Sequence, residues 1–259
     1  MSRITLIPAA LLLAAALLSC SEKQNPSSPS NQGGQSGQGG QGGQGGAPST
    51  PQEVEFAAVD LGLSVKWANI NLGAKTEVDS GDYYAWGETA VKTNYDWTTY
   101  LWCDGNWDKL KKYNSDPSYG TVDGEKVLQR QEKTGETMDD VARGQKGGSW
   151  RIPTVEDWNE LIEQCDWKPE TRFNVFGYVI TSKASGNKNS IFLPGVGYMS
   201  GTRVPEEDES TGFYWSSVRH SAGMPFYAWH LSFTKMGTSS ITMDATTRCF
   251  GSPIRAVTD

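Results

Sequence analysis

The sequence of 259 residues contains few of the residues and motifs on which metal centres and common hydrolase sites depend. It has two histidines, His220 and His230, four cysteines, and no CxxC, HExxH or GxSxG motif. These absences argue against a zinc site, a metalloprotease and a serine hydrolase, so we expect no enzyme activity, no metal and no cofactor. Lysine and arginine total 23 against 30 acidic residues, which gives a net charge of −7. Such a balance provides no basic surface for nucleic acid.

Long apolar runs are also scarce, and the one at residues 4–18 is too short to span a bilayer comfortably. Arg3 precedes this run, and Leu-Leu-Ser-Cys follows at 17–20, a sequence that resembles a bacterial lipobox. The pattern predicts a signal peptide over 1–19 and lipidation, with palmitate, at Cys20. An ordinary signal peptide followed by an incidental cysteine is the alternative.

Residues 20–50 are rich in glycine, glutamine and serine and contain almost no apolar side chains. A segment of this composition buries too little surface to offset the entropy of ordering it, so we expect a flexible tether between the lipid and a domain at 51–259. Ser21 and Glu22 resemble an outer-membrane address. The expected location is therefore the outer membrane, with the domain facing the periplasm or the cell surface.

Cysteines beyond the lipobox are odd in number, namely Cys103, Cys165 and Cys249. In an oxidising compartment one disulfide is possible, and Cys103–Cys165 is the preferred pair. The alternative is that all three are free and buried.

Periodicity along residues 51–259 predicts short strands and two helices. Apolar residues alternate over 59–67, as in a strand with one buried face. Thr154 and Asp157 form a capping-box pattern ahead of an apolar helical face, and Thr137 predicts a shorter helix through Gly144. The expected fold class is α+β. The helical face comprises Trp158, Leu161, Ile162 and Cys165, and further strands are predicted at Phe176–Ser182, Ser190–Leu193, Phe213–Ser217, Ala228–Thr234, Ser240–Met243 and Ile254–Val257.

Several sequence motifs occur in an order that resembles one known family. They are V-D-L-G-L-S-V-K-W-A-N, G-D-Y-Y-A-W-G-E, W-R-I-P-T-V-E-D-W-N-E-L, I-F-L-P-G-V-G-Y, F-Y-W-S-S, A-W-H-L-S-F and S-P-I-R-A-V. Together they are similar to the Fibrobacter succinogenes major paralogous (FISUMP) domain, found in surface lipoproteins of Bacteroidetes. The resemblance covers about residues 55–258. It implies a C-type-lectin-like fold, shared distantly with formylglycine-generating enzymes and with the variable proteins of diversity-generating retroelements.

The same resemblance directs attention to the C-terminal region, because the retroelement-diversified relatives carry their ligand-facing positions there. Strand alternation predicts that Trp229, Leu231 and Phe233 face the core, so that His230 and Ser232 point outward. The loop at 219–227 connects the strands predicted at Phe213–Ser217 and Ala228–Thr234. It combines exposed polar, sulfur and aromatic groups, as adaptable recognition surfaces do. A loop with no binding role is the alternative. The expected ligand-binding residues are Arg219, His220, Met224, Phe226, Tyr227, His230, Met236, Thr246 and Arg248.

Other polar groups have simpler interpretations. The acidic run at 206–209 is typical of a solvated turn more than of a calcium site, and nothing in the sequence positions Ser216, His220 and Asp208 as a catalytic triad. Three lysines near Trp107 favour a solvated loop over an anion site. Two arginines within the family motifs predict structural pairs with acidic partners. These basic residues are Lys109, Lys111 and Lys112, and Arg151 and Arg255.

The predicted function is that of a lipid-anchored envelope protein whose domain binds a protein or carbohydrate ligand without covalent chemistry. A structural component of a surface fibre or envelope complex is the alternative, and an enzyme related to the formylglycine-generating proteins comes third.

Overall fold

The computed structural model describes residues 50–131, 138–203, 210–221 and 223–259. These residues contain four small antiparallel sheets and two α-helices, so the fold is broadly α+β with short strands. None of the helices among them is long and apolar enough to cross a membrane. The elements in chain order are β1 (Ala58–Val59), β2 (Lys66–Ala68), β3 (Tyr84–Ala85), α1 (Val141–Lys146), α2 (Val155–Gln164), β4 (Cys165–Arg172), β5 (Val175–Ser182), β6 (Ser190–Pro194), β7 (Thr211–Arg219), β8 (Tyr227–Thr234), β9 (Thr242–Thr247), β10 (Gly251–Ser252) and β11 (Val257–Thr258).

Two three-stranded meanders, β4-β5-β6 and β7-β8-β9, form the larger sheets. The smaller sheets join distant parts of the chain, because β2 lies between β1 and β11, and β10 pairs with β3. The first and last strands of the domain are therefore held by a common neighbour.

Helix α2 begins as the capping box predicts. Thr154 Oγ1 accepts a hydrogen bond from the Asp157 backbone N–H at 3.2 Å, and Asp157 Oδ2 accepts one from the Thr154 backbone N–H at 2.6 Å. Arg151 donates two hydrogen bonds to the Asp157 carboxylate, at 2.5 and 3.1 Å, which confirms the acidic partner predicted for this arginine. Of the predicted helical face, Trp158 and Leu161 are fully buried and Ile162 is half-buried, whereas Cys165 is buried but is the first residue of β4.

The other helix differs from its prediction. Helix α1 begins at Val141 and ends at Lys146, and its N-cap is Asp140, whose Oδ1 accepts from the Arg143 backbone N–H at 3.1 Å. The predicted cap, Thr137, lies outside the described residues.

Strand β4 has no counterpart among the predicted strands. Its sequence, Cys-Asp-Trp-Lys-Pro-Glu-Thr-Arg, is too polar to show apolar alternation, and it continues directly from the C-terminus of α2. It forms the edge of its sheet, where Pro169 removes no hydrogen bond from an inner ladder. Its two-residue turn into β5 has positive φ at Phe173 (+48°) and Asn174 (+67°), as type I′ hairpin turns do, and phenylalanine is an unusual residue at such a position.

The core consists of three clusters of buried apolar side chains. The first lies between α2 and the two large sheets and includes Trp158, Leu161, Tyr178 and Tyr214. A second cluster surrounds Trp86 and Trp215, and a third includes Cys103 and Cys249.

All three described cysteines are buried and unbonded to one another. The predicted Cys103–Cys165 disulfide is therefore wrong, and the alternative of three free, buried thiols is confirmed. Cys165 packs in the first cluster and Cys103 in the third, so the two belong to different parts of the core. Burial raises the pKa of Cys165 to about 11 and that of Cys249 to about 12, which keeps both thiols protonated and unreactive at neutral pH.

Candidate functional site

Three of the predicted ligand-binding residues are buried. Arg219, His230 and Arg248 expose 3%, 2% and 0% of their surface. The prediction that His230 points outward to a ligand is wrong, because its side chain is buried against neighbouring aromatic rings. The His230 ring stacks on Phe213 with centroids 5.3 Å apart and meets Trp215 edge-on at 6.1 Å.

The two buried arginines tie loops together. The Arg248 side chain donates to the backbone carbonyls of Lys112, Tyr113 and Pro225 at 2.8–3.1 Å and to the Tyr100 hydroxyl at 3.0 Å. Arg219 donates to the carbonyls of Glu125, His220 and Ser221 in the same manner; these distances are 2.9–3.2 Å. Both arginines therefore fix the loop after β7 against the segment 112–125, and neither offers its guanidinium to an external ligand.

The remaining predicted residues divide into two places. His220, Phe226 and Tyr227 are half-buried, and Met224 is exposed, all at one end of β8. Met236 is exposed in the turn at the opposite end, the length of an eight-residue strand away, roughly 26 Å. Thr246 lies beside Ala228 in the ladder, and it is half-buried.

Two separate chain segments bring partly exposed rings together at the near end of β8. Trp107 contacts Phe226 with centroids 5.1 Å apart, and Tyr119 contacts the same two rings at 5.7 and 5.4 Å. The run continues along β8 and its preceding loop, with centroid distances of 4.8 Å from Phe226 to Tyr227, 6.5 Å from Tyr227 to His220 and 4.6 Å from His220 to Trp229. We call this set the aromatic strip; it comprises Trp107, Tyr119, Phe226, Tyr227, His220 and Trp229.

Most polar side-chain atoms of the strip have no partner within the protein. His220 Nδ1 lies 3.2 Å from Ser221 Oγ. Among the described residues, no hydrogen bond is formed by the indole N–H groups of Trp107 and Trp229 or by the hydroxyls of Tyr119 and Tyr227. Trp107 exposes 42% of its surface, whereas the other rings of the strip are half-buried. Each ring thus presents a polar atom or an open face at the surface, beside an apolar body that packs on its neighbour.

The strip carries little charge. Burial lowers the pKa of His220, with a smaller opposing effect from Asp244, so this ring is neutral at pH 7. The nearby segment offers charges of both signs, since Lys109 and Asp104 are exposed and Lys111 lies 3.9 Å from Asp104. Lys112, the third lysine of this group, is ion-paired with Asp139 at 2.7 Å.

Sequence reasoning missed Trp107, Tyr119 and Trp229 as members of the site. Trp229 was predicted to face the core because it alternates with Leu231 and Phe233. Leu231 and Phe233 are fully buried, but Trp229 stands at the strand end and is half-exposed. The dense aromatic and Asn/Asp/Gly content of residues 104–119 was the available signal for the other two.

Other candidate groups lie elsewhere or outside the described residues. The acidic run 206–209, including Asp208, is not described. Ser216 is fully buried, and its hydroxyl accepts from the Val218 backbone N–H at 3.1 Å. Within the described residues no three His, Cys, Asp or Glu side chains are grouped to hold a metal ion. Arg255 is a structural residue, as predicted, but its partners are backbone carbonyls and Asn71 Oδ1 at 2.9 Å.

A cavity of about 600 Å³ lies apart from the strip. Its lining includes Arg130, Arg143 and Trp150, together with Glu125 and the C-terminal Asp259. It shares no ring with the strip, and its mixed charges favour no one class of ligand.

No protein-family model matches the sequence, and no curated protein and no solved structure matches it.

Proposed function

We propose that this chain is a lipid-anchored protein of the cell envelope whose domain binds a protein or glycan ligand through the aromatic strip. In this proposal Cys20 carries the lipid, residues 20–50 are the tether, and residues 51–259 form a FISUMP domain of C-type-lectin-like fold. The resemblance of the sequence motifs and the lipobox pattern support these assignments. The domain works by recognition and not by catalysis.

One observation carries the binding role. The strip gathers six rings from two distant segments, and the polar atoms of Trp107, Tyr119, Tyr227 and Trp229 have no partner within the described structure. Aromatic side chains dominate the energy of recognition surfaces where they become desolvated on binding. Most core rings, by contrast, have their polar atoms satisfied inside the protein, as those of Trp86, Tyr214 and Trp215 are.

Truncation of the strip tests the proposal. Trp107→Ala and Tyr227→Ala should each weaken binding to the cell-surface or envelope partner at least about tenfold while the melting temperature changes little. Trp150→Ala is the matched control, because Trp150 is also half-exposed but packs against Phe56 and not against the strip, with ring centroids 4.9 Å apart. Unchanged binding in both strip variants would contradict the proposed site.

The anchor is tested separately. Cys20→Ala should abolish incorporation of labelled palmitate and release the chain from membranes or leave it unprocessed. Incorporation of the label into this variant would contradict lipidation at Cys20.

A further inference from the structure

We infer that the ligand of the aromatic strip is an uncharged glycan chain, laid along the rings from Tyr119 and Trp107 to Trp229. This inference rests on the proposed function and names the class of ligand for the same site.

Hydrogen-bonding capacity is the first reason. An indole N–H can only donate, so Trp107 and Trp229 require acceptor atoms from the ligand. The free hydroxyls of Tyr119 and Tyr227 can donate or accept. A ligand that matches these groups must offer acceptors and donors at short intervals along its length. The hydroxyl, ring and glycosidic oxygens of a glycan meet this requirement.

Ring faces provide the second reason. The face of an aromatic ring is electron-rich, and it attracts groups with partial positive charge. The C–H groups on one face of a pyranose are such groups, and they are flat enough to lie on Trp107 or Tyr227. A glycan therefore satisfies the rings and their polar atoms at the same time.

Charge is the third reason. The strip contains one imidazole, that of His220, and burial lowers its pKa, which favours the uncharged ring at pH 7. The buried guanidinium groups of Arg219 and Arg248 are occupied by backbone carbonyls. Protein-binding surfaces combine aromatic residues with available arginine, and sites for anionic glycans need cations. The strip offers neither, and the net charge of −7 opposes an anionic ligand further.

Rigidity is the fourth reason. Arg248 donates to Pro225 O at 2.8 Å, and its backbone N–H donates to Phe226 O at 3.1 Å, while the same guanidinium holds the carbonyls of Lys112 and Tyr113. The loop that carries Phe226 and the segment that contains Lys112 and Tyr113 are therefore both held by the side chain of Arg248. A surface that is ordered before binding loses little conformational entropy when the ligand binds. This matters most for a ligand such as a glycan, in which each sugar contributes little binding free energy.

Titration with uncharged hexasaccharides tests the inference. The probes are cellohexaose, maltohexaose, xylohexaose and mannohexaose, each compared with its monosaccharide, followed by calorimetry and by tryptophan fluorescence. Binding by at least one hexasaccharide is expected, with an affinity about tenfold or more above that of the monosaccharide, because several rings contribute. Trp107→Ala and Tyr227→Ala should each reduce it about tenfold, and Tyr227→Phe, which keeps the ring, should reduce it less. Trp150→Ala should have no effect.

The outcomes separate the inference from the proposed function. Binding of none of the four hexasaccharides at millimolar concentration would overturn the glycan assignment, as would preferential binding of an anionic glycan such as polygalacturonate. If a protein partner were instead lost in Tyr227→Ala, the strip would still be the binding site and only the ligand class would be wrong. Glycan binding that survives both strip truncations, or that EDTA abolishes, would overturn the strip itself.

Discussion

The aromatic side chains of the core and those of the strip treat their polar atoms differently. In the core, Trp86 Nε1 donates to Ser216 O at 2.8 Å, Trp215 Nε1 donates to Tyr84 O at 2.8 Å, and the Tyr214 hydroxyl donates to Pro194 O at 2.6 Å. In the strip, the corresponding atoms of Trp107 and Tyr227 have no partner among the described residues. Trp67 and His230 are exceptions in the core, since the Trp67 indole N–H and both ring nitrogens of His230 are buried without a partner among the described residues.

This difference separates rings that specify the fold from rings that are available to a ligand. A buried polar atom without a partner costs free energy, so core rings retain indole and phenol groups where a carbonyl can accept from them. At the surface, water satisfies the same atom at no cost until a ligand replaces the water. The heavy aromatic content therefore has two origins: most core rings have paired polar atoms, whereas the indole and phenol groups of the strip have no partner among the described residues.

The largest difference in stability is expected when one tryptophan of the core and one of the aromatic strip are each replaced by alanine. Trp158→Ala removes a fully buried ring from the first core cluster and should lower the free energy of unfolding by about 3–5 kcal/mol. Trp107→Ala removes a ring that is 42% exposed and should cost less than about 1 kcal/mol. Denaturant unfolding of the two variants checks this, and equal losses would show that the strip belongs to the core.

The two histidines extend the comparison to pH. Burial lowers the pKa of His230 from 6.5 to about 4, so the unfolded chain binds its proton first as the pH falls. Stability that is full above pH 6.5 should therefore decline between pH 6.5 and about 4, by about 3 kcal/mol in total. Asp157, whose pKa is lowered chiefly by Arg151 and Thr154 against the effect of burial, loses its contribution only below its ordinary value of 3.8.

His230→Phe should remove most of this decline when the free energy of unfolding is measured at pH values from 4 to 7. Because the chain has only two histidines, His220→Gln serves as the control, and this variant should retain most of the decline in stability. An unchanged decline in stability in His230→Phe would contradict the burial of a neutral His230.

A smaller change, removal of one tyrosine hydroxyl, also distinguishes the core from the aromatic strip. Tyr214→Phe breaks the bond to Pro194 O and the bond that the hydroxyl accepts from Asn71 Nδ2 at 3.3 Å, at a cost of about 1 kcal/mol or more. Tyr227→Phe should leave the free energy of unfolding unchanged, because its hydroxyl has no protein partner. Thermal unfolding of both variants is the measurement, and a loss in Tyr227→Phe would reveal a bond that the comparison denies.

The smallest expected effect concerns a third kind of ring, Phe173, which is 38% exposed in a strained turn. Its φ of +48° is costly for a bulky side chain and favourable for asparagine. Phe173→Asn should raise the free energy of unfolding by up to about 1 kcal/mol. A decrease in denaturant midpoint would show that the packing of Phe173 outweighs the backbone strain.

Elements with strong local signals were predictable from sequence. Thr154 and Asp157 define the start of α2 through a capping box, and the apolar strands β5, β6 and β8 appear within one or two residues of their predicted ends. Local side-chain chemistry and periodicity determine these elements. Strand β4 escaped prediction because its place in the sheet depends on pairing with β5 and not on its own polar sequence.

The candidate site was predictable only in part. The loop at 219–227 was identified from its composition, but Arg219 and Arg248 were expected to face a ligand because of the family resemblance, and both are buried. Their burial depends on carbonyls from segments about 20 to 136 residues distant, which no local pattern reveals. Arg219→Ala is consequently expected to lower the melting temperature, unlike a truncation within the strip.

The central claim, that the strip is the ligand surface, is tested most directly by the ten indole N–H signals of ¹⁵N-labelled domain during titration with whichever hexasaccharide binds. The signals of Trp107 and Trp229 should shift and become protected from exchange with water. Those of Trp86, Trp158 and Trp215 should be protected from the start and stay in place. A saturating titration that leaves Trp107 and Trp229 unchanged would contradict the claim.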